Sequence, residues 1–226
     1  MNPVTIYGSE FRAIQGFLYI EYGVTRRLTA ITQLSGSSLQ SESNGRHTGL
    51  RLNTSGLGDV VLGAKFQLVG EPIVLSPYLS VKIPTYYDND LNPALGTGDA
   101  DVELKVLTAR SFHPLPLFIG MEAGYRARDG PFSNQIRFSG EAGATPSSRL
   151  SFKAYLEESK TLSGDIRLAE PGLVQVSEGD FTKLGLIAGF RARGPLWMEV
   201  ALESVLAGKN VSAGHAWGLA LSYSHR

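Results

Sequence analysis

The sequence predicts an all-β protein, an antiparallel transmembrane β-barrel of about 12 strands. Apolar side chains recur at every second position over most of the chain, the period of a strand whose two faces meet different environments. Most of these segments run for about 9–13 residues, which suits a tilted strand crossing a bilayer better than the ~5–6 residues of a soluble strand. Short and longer connections alternate, as they do in outer-membrane barrels.

Composition and charge exclude several other classes of protein. The 226 residues carry 21 Lys and Arg against 21 Asp and Glu, so there is no basic footprint for nucleic acid and no acidic tail. Cysteine is absent, which excludes disulfide frameworks, Cys-based zinc sites and thiol catalysis. No apolar run approaches the length of a transmembrane helix. We expect residues 1–226 to form a single barrel domain.

Period-two alternation divides the chain into eleven readable strands. The clearest begins at Asp59, where Leu62, Ala64 and Phe66 share one face and Lys65 lies on the other. The predicted strands are 14–22, 27–35, 58–69, 73–84, 99–111, 117–128, 134–145, 149–161, 181–192, 196–206 and 215–225.

The predicted connections fall into two groups by length. The short ones are 23–26, 70–72, 113–116, 146–148 and 193–195, beginning at Gly23, Gly70, His113, Pro146 and Arg193. The longer ones are 36–57, 85–98, 129–133, 162–180 and 207–214, and 162–180 has the pattern of a hairpin that extends beyond the membrane. Short turns on the periplasmic side and long loops outside are typical of outer-membrane barrels.

The polar face of these strands mixes charges of both signs with glycines, which suits a lumen where charges pair across the barrel. A soluble barrel would instead place its apolar face inside, and that alternative remains open at this point. The predicted lumen-lining residues are Lys65, Lys82, Asp101, Glu103, Lys105, Glu122, Arg126, Arg137, Glu141, Lys153, Glu157, Lys183, Arg191, Glu199 and Glu203.

Aromatic residues on the apolar face gather at the strand ends, as expected for belts at the two bilayer interfaces. The belt at the short-turn end would contain Tyr22, Phe66, Phe152, Phe190 and Tyr223. The belt at the long-loop end would contain Tyr125, Phe138 and Trp217.

An odd number of strands leaves an unpaired edge, which lipid does not tolerate. The first and last predicted strands both run towards the short-turn end, so we expect one upward strand before residue 14, with Val4 to Phe11 as its remnant. The start Met1-Asn2-Pro3-Val4 has neither the basic nor the apolar region of a signal peptide. We therefore expect a mature or truncated form of a bacterial outer-membrane protein.

Short stretches along nearly the whole chain resemble the family of outer-membrane β-barrels named for the meta-pathway of phenol degradation. They are residues 19–29 (Tyr19 to Thr29), 56–65 (Gly56 to Lys65), 82–85 (Lys82 to Thr85), 95–99 (Leu95 to Asp99), 124–128 (Gly124 to Arg128) and 208–210 (Gly208 to Asn210). The resemblance implies a barrel of the long-chain fatty-acid-transporter-like class that passes hydrophobic or aromatic compounds.

Few residues suggest catalysis or metal binding. The four histidines, His47, His113, His215 and His225, lack metal-ligand spacing, and no G-x-S-x-G nucleophile motif occurs. Asp99, Asp101 and Glu103 would share the lumen face and could hold a cation, but pairing with Lys105, Arg126 or Arg128 is the simpler interpretation. We expect no enzyme, no cofactor and no metal site.

The sequence favours an outer-membrane channel or transporter for small, possibly hydrophobic or aromatic, molecules. A structural or surface-binding outer-membrane barrel with a plugged lumen is the first alternative, and a soluble ligand-binding barrel is the second. The expected partners are membrane lipid and a small-molecule solute, with no nucleic acid. The pattern leaves the oligomeric state open.

Overall fold

A computed structural model describes residues 9–43, 50–85, 87–88, 91, 93–130, 132–162, 179–209, 211 and 214–224. These residues form eleven β-strands. The strands are β1 Ser9–Gly23, β2 Leu28–Ser43, β3 Leu50–Phe66, β4 Val74–Ile83, β5 Asp101–Ser111, β6 Leu117–Arg128, β7 Gln135–Ser147, β8 Leu150–Thr161, β9 Asp180–Arg193, β10 Leu196–Lys209 and β11 His215–Tyr223. The described residues contain no helix long and apolar enough to cross a membrane.

Every strand pairs antiparallel with its neighbours in sequence, so the sheet has the order β1 to β11 without a crossover. The sheet curls into a half-barrel, so that residues from β2 to β9 line one shared cavity. Within the described residues, β1 and β11 are each paired on one side only. Ten successive antiparallel pairings make these two edge strands run in the same direction. The predicted all-β, antiparallel barrel fold is confirmed.

The first three strands are longer than the sequence predicts. The predicted loop 36–57 is mostly strand, since β2 continues to Ser43 and β3 begins at Leu50. Serines and glycines fill both faces here, so apolar alternation stops although the backbone ladder goes on. Ser38 lies opposite Ser55 with their hydroxyls 2.8 Å apart.

The predicted N-terminal strand and the predicted hairpin within 162–180 involve residues that the structure describes only in part. Ser9 to Phe11 belong to β1, so the predicted separate strand over Val4 to Phe11 is wrong at these three residues. Residues 1–8 lie outside the description. The predicted hairpin within 162–180 also lies largely outside it. The connections at 84–100, 129–134 and 210–214 agree with the predicted long-loop end.

The two faces of the sheet reverse the polarity of a soluble protein. Along β6, exposure alternates, with Met121 49% exposed on the convex outer face and Gly120 buried on the concave inner face. Among the side chains that the structure describes, the buried hydrophobic ones are Ile31 and Leu39. The buried polar or charged ones are Ser41, Thr54, Ser76, Ser80, Asp101, Glu103, Gln135 and Ser159. The soluble-barrel alternative would require the opposite arrangement.

The residues of the predicted aromatic belts are exposed, and one of them, Phe138, also borders the cavity on the concave side. Trp217 is 76% exposed and Tyr125 is 42% exposed near the long-loop end. Tyr22 and Tyr223, both 69% exposed, lie next to short turns. This distribution suits an outer surface that meets a bilayer interface at both ends.

Candidate functional site

The inner face of the curled sheet surrounds a cavity of about 550 Å³. Polar and charged side chains from neighbouring strands dominate its lining. The lining residues are Gln33, Val61, Tyr78, Glu103, Lys105, Glu122, Arg126, Arg137, Phe138, Ser139, Glu141, Lys153, Tyr155, Glu157 and Ile187. We call this concave surface the inner wall.

Glu103 on β5 lies at the centre of the inner wall and faces three cations. Its carboxylate is 3.2 Å from Arg137, 3.4 Å from Arg126 and 3.6 Å from Lys105. Arg126 is its register partner on β6, whereas Arg137 reaches it from β7, two strands away. A buried carboxylate is costly unless charges of opposite sign surround it, and these three supply that compensation.

The chain of ion pairs continues from Arg137 towards β10. The Arg137 guanidinium also contacts Glu157, whose other oxygen is 3.1 Å from Lys183. Lys183 is in turn 3.3 Å from Glu203. The four charged side chains of this chain of ion pairs therefore alternate in sign across β7, β8, β9 and β10. No two like charges are neighbours within it.

We call this network of ion pairs on the inner wall the lattice. Three more pairs belong to it. Lys65 bonds Glu21 at 2.7 Å across the width of β2. Lys105 lies 3.2 Å from Glu122, and Lys153 lies 3.1 Å from Glu141. Each pair joins side chains of the same face, as the strand registers require.

Glycines leave space for these long side chains to cross a strand. Gly124 on β6 lies between Lys105 and Arg137 in the register, and a Cβ there would lie 2.5 Å from Lys105 Cγ. Gly185 on β9 likewise lies between Tyr155 and Glu203. The Tyr155 ring covers Gly185, and its hydroxyl donates to the Glu203 carboxylate.

Most predicted lumen-lining residues therefore come together, while a few lie apart from the lattice. Arg191 lies over the Trp197 ring, 5.0 Å from its centroid, rather than in an ion pair. Glu199 has no ion-pair partner among the described residues, and its Cγ lies near Gly189. Lys82 and Asp101 form a separate group near the long-loop end, 3.0 Å apart.

Sequence reasoning missed several members of the inner wall. The predicted set does not include Glu21, although Glu21 alternates with the outer-face Tyr22 on β1 and pairs with Lys65. Tyr78 and Tyr155 line the cavity, whereas the predicted lumen-lining set contains charged residues only. Their parity is a signal that could have found them, since Tyr78 alternates in step with Lys82, and Tyr155 in step with Lys153.

Protein cations take the place of the suggested metal cation at Asp101 and Glu103, and Asp99 precedes β5 and lies beside Gly130. Asp101 pairs with Lys82 and lies 3.7 Å from Arg128, and Glu103 pairs as described above. The described residues include no group of three or more metal-type ligands. His113 lies in the β5–β6 turn and His215 begins β11. His47 and His225 lie outside the described residues.

We predict that Gly185→Val destabilises the protein by about 1–3 kcal/mol, the usual cost of overpacking. A side chain at Gly185 would collide with the Tyr155 ring and push it away from Glu203. Gly140 offers a matched control, because a Cβ there meets nothing within 4 Å. Urea titration of the protein folded into vesicles would measure both variants. An equal effect at both glycines would contradict the packing argument.

Comparison with known proteins supports the fold. No family model matches the sequence, and no curated protein matches it. The COG4313 outer-membrane channel from Pseudomonas putida F1 is similar in structure, with a TM-score of 0.66 and 16% identity over 94% of this chain and 82% of that chain. The KdgM porin, solved in complex with disordered oligogalacturonate, has a TM-score of 0.60 and 8% identity over 97% of this chain and 99% of its own. At these identities the likeness concerns the fold alone, an antiparallel β-barrel.

Proposed function

We propose that this chain is an outer-membrane channel through which small solutes pass along the charged inner wall. The observation that carries the proposal is the reversed polarity of the sheet, with apolar side chains on its convex face and an ion-pair lattice on its concave face. Lipid would cover the outer face, and water and solute would share the inner one. The structural likeness to two proteins described as a channel and a porin supports this function.

The inner wall favours small hydrated solutes. Its fixed charges alternate in sign, so a solute can exchange hydrogen bonds with water, carboxylates and guanidinium groups as it moves. The hydrophobic or aromatic solutes implied by the resemblance to the phenol-degradation family are supported by that resemblance alone. An apolar solute would gain little from a wall whose centre is Glu103, Arg126 and Arg137.

The direct test is the conductance of the purified full chain in a planar lipid bilayer with potassium chloride on both sides. We expect discrete current steps whose size grows with salt concentration. A protein that inserts in the bilayer without carrying current would favour the alternative function, a structural barrel plugged by its own lattice. The observation that supports this second candidate is the lattice of partly buried ion pairs.

The proposal also predicts the orientation of the barrel in the cell. Leu162, 51% exposed beyond the end of β8, should be accessible from outside, and Glu71 in the β3–β4 turn should not. The chain has no cysteine, so Leu162→Cys and Glu71→Cys can each be labelled on intact cells with a membrane-impermeant maleimide. Ser41, which falls in the predicted loop 36–57, is buried in β2 and unsuitable as a probe.

Preferential labelling of Leu162→Cys is the expected result. Labelling of both variants after the outer membrane is permeabilised would show that each thiol is reactive. Preferential labelling of Glu71→Cys on intact cells would mean that the barrel has the opposite orientation.

A further inference from the structure

The described residues of the connection between β4 and β5 pack against the concave face of the sheet. We use the name β4–β5 segment for its described residues Thr85, Tyr87 and 93–98. Pro93 is among the most completely buried side chains of the described structure, although it belongs to no strand. Loops normally lie on the surface with exposed side chains, so a buried proline indicates a packed position.

Hydrogen bonds attach the β4–β5 segment to the middle of β3 and to the end of β4. The Tyr87 hydroxyl donates to Asp59 Oδ1 at 2.6 Å and accepts from the Gly98 backbone N–H at 2.9 Å. The Lys82 ammonium donates to Thr97 Oγ1 at 2.5 Å, and the Thr85 hydroxyl donates to the Gly58 carbonyl oxygen at 2.7 Å.

The anchoring residues face the concave side of the sheet. Lys82 is the register partner of Val61, which lines the cavity, and of Asp101. Asp59 is two residues from Val61 on the same strand, so it shares that face. Lys82 is 3.5 Å from Asp59 and 3.0 Å from Asp101. The segment is therefore attached to the separate charged group of Lys82, Asp59 and Asp101, on the concave face at the long-loop end of the cavity.

Glycines make this close approach possible. A Cβ on Gly56 would lie 2.8 Å from Leu95 Cδ1, and a Cβ on Gly96 would collide with the Tyr87 hydroxyl. Gly56-Leu57-Gly58 belongs to β3, and Gly96-Thr97-Gly98 belongs to the β4–β5 segment. In the structure both stretches lie where the segment meets the wall.

The Tyr87 phenol remains a hydrogen-bond donor over the usual pH range. Burial, together with its hydrogen bond to Asp59, raises the pKa of this phenol above its ordinary value. The attachment should therefore hold at neutral and mildly alkaline pH.

We propose that the β4–β5 segment is the constriction that limits the size of solutes entering the cavity from the long-loop end. The inference rests on the proposed channel function, because a size limit has meaning only if solute passes. Tyr87 and Thr97 then act as positioning residues, since they hold the segment over the passage rather than binding solute themselves. Pore diameter is a main determinant of passage in such channels.

Two measurements test this proposal. The first is single-channel conductance of the full chain with residues 93–97 deleted, which we expect to rise about two-fold as the passage widens. The second measures maleimide labelling of Pro93→Cys in the folded protein. Replacing Tyr87 with phenylalanine removes two hydrogen bonds, and we expect labelling to accelerate by about five- to ten-fold.

Tyr125→Phe is the matched control, because Tyr125 lies on the outer face of β6. It should leave the labelling rate of Pro93→Cys unchanged. Glu71→Cys, in an exposed turn, gives the rate of a freely accessible thiol.

The outcomes separate the constriction from the channel function. If the parent conducts and the deletion leaves conductance unchanged, the constriction is overturned and the channel function remains. If Pro93→Cys reacts as fast as Glu71→Cys, the packed position is overturned whether or not the protein conducts. If only the deletion variant conducts, the segment closes the parent barrel, which supports its place in the passage.

Discussion

Replacing Met121 with arginine is expected to lower the free energy of unfolding from a bilayer by about 2–4 kcal/mol, the destabilisation that a cation causes near the bilayer midplane. Met121 lies near the middle of β6 on the outer face, 49% exposed. The same effect is expected at Leu62, Ile119, Leu186 and Val200, which are 43–51% exposed on that face. Urea titration of the protein folded into liposomes measures this free energy.

Gly120→Arg is the control, because Gly120 is the neighbour of Met121 on the same strand and faces the inner wall. A Cβ at Gly120 would lie 3.0 Å from the Glu141 side chain, so an arginine there has an acidic partner and access to water. Its cost should be smaller than that of Met121→Arg. Equal costs at the two positions would show that the faces are assigned wrongly.

Replacing Arg126 and Arg137 together with glutamine should make the channel more selective for cations. Glu103 would keep only Lys105, and Glu157 would keep only Lys183. Two positive charges would be lost from the wall of a narrow passage. A unit charge felt across about 7 Å of water is worth ~0.6 kcal/mol, or a factor of about three in local ion concentration. The reversal potential under a salt gradient measures the change.

Arg27→Gln with Arg149→Gln provides a control of equal net charge. Both residues lie at short turns and are exposed, away from the ion pairs of the inner wall. This variant should keep the parent's selectivity. If both double variants shift the reversal potential equally, the effect comes from overall charge, and Arg126 and Arg137 do not line the conducting path.

The strands could be predicted wherever one face was apolar and the other polar. For β6 the predicted and observed limits are both 117 and 128, because each successive side chain changes face along its whole length. For β2 the prediction ended at residue 35, since Ser37, Ser38 and Ser41 give no apolar signal. Backbone pairing there depends on the ladder between β2 and β3 rather than on burial.

The sequence could predict which face of the sheet carries the charged residues of the inner wall, but not which of these residues pair with each other. Parity assigned Glu103 and Arg137 to one side, and a slip of one residue would have reversed that assignment. Arg137 reaches Glu103 across β6. This contact depends on the registers of β5, β6 and β7 together and on Gly124, which has no side chain to block it. The packing of the β4–β5 segment depends on contacts between residues far apart in sequence, such as Asp59 and Tyr87, which no local pattern reveals.

The uninterrupted strand order has a consequence for how the molecule folds. Each strand finds its partners among its nearest neighbours in sequence, so every pairing closes only a short stretch of chain. Loop-closure entropy is then low at each step, and low contact order favours rapid folding. The sheet can grow one hairpin at a time, each new strand docking on an edge that is already formed. A chain cut within the β8–β9 connection would still hold β1 to β8 and β9 to β11 as two uninterrupted meanders, able to reassociate along the β8–β9 ladder.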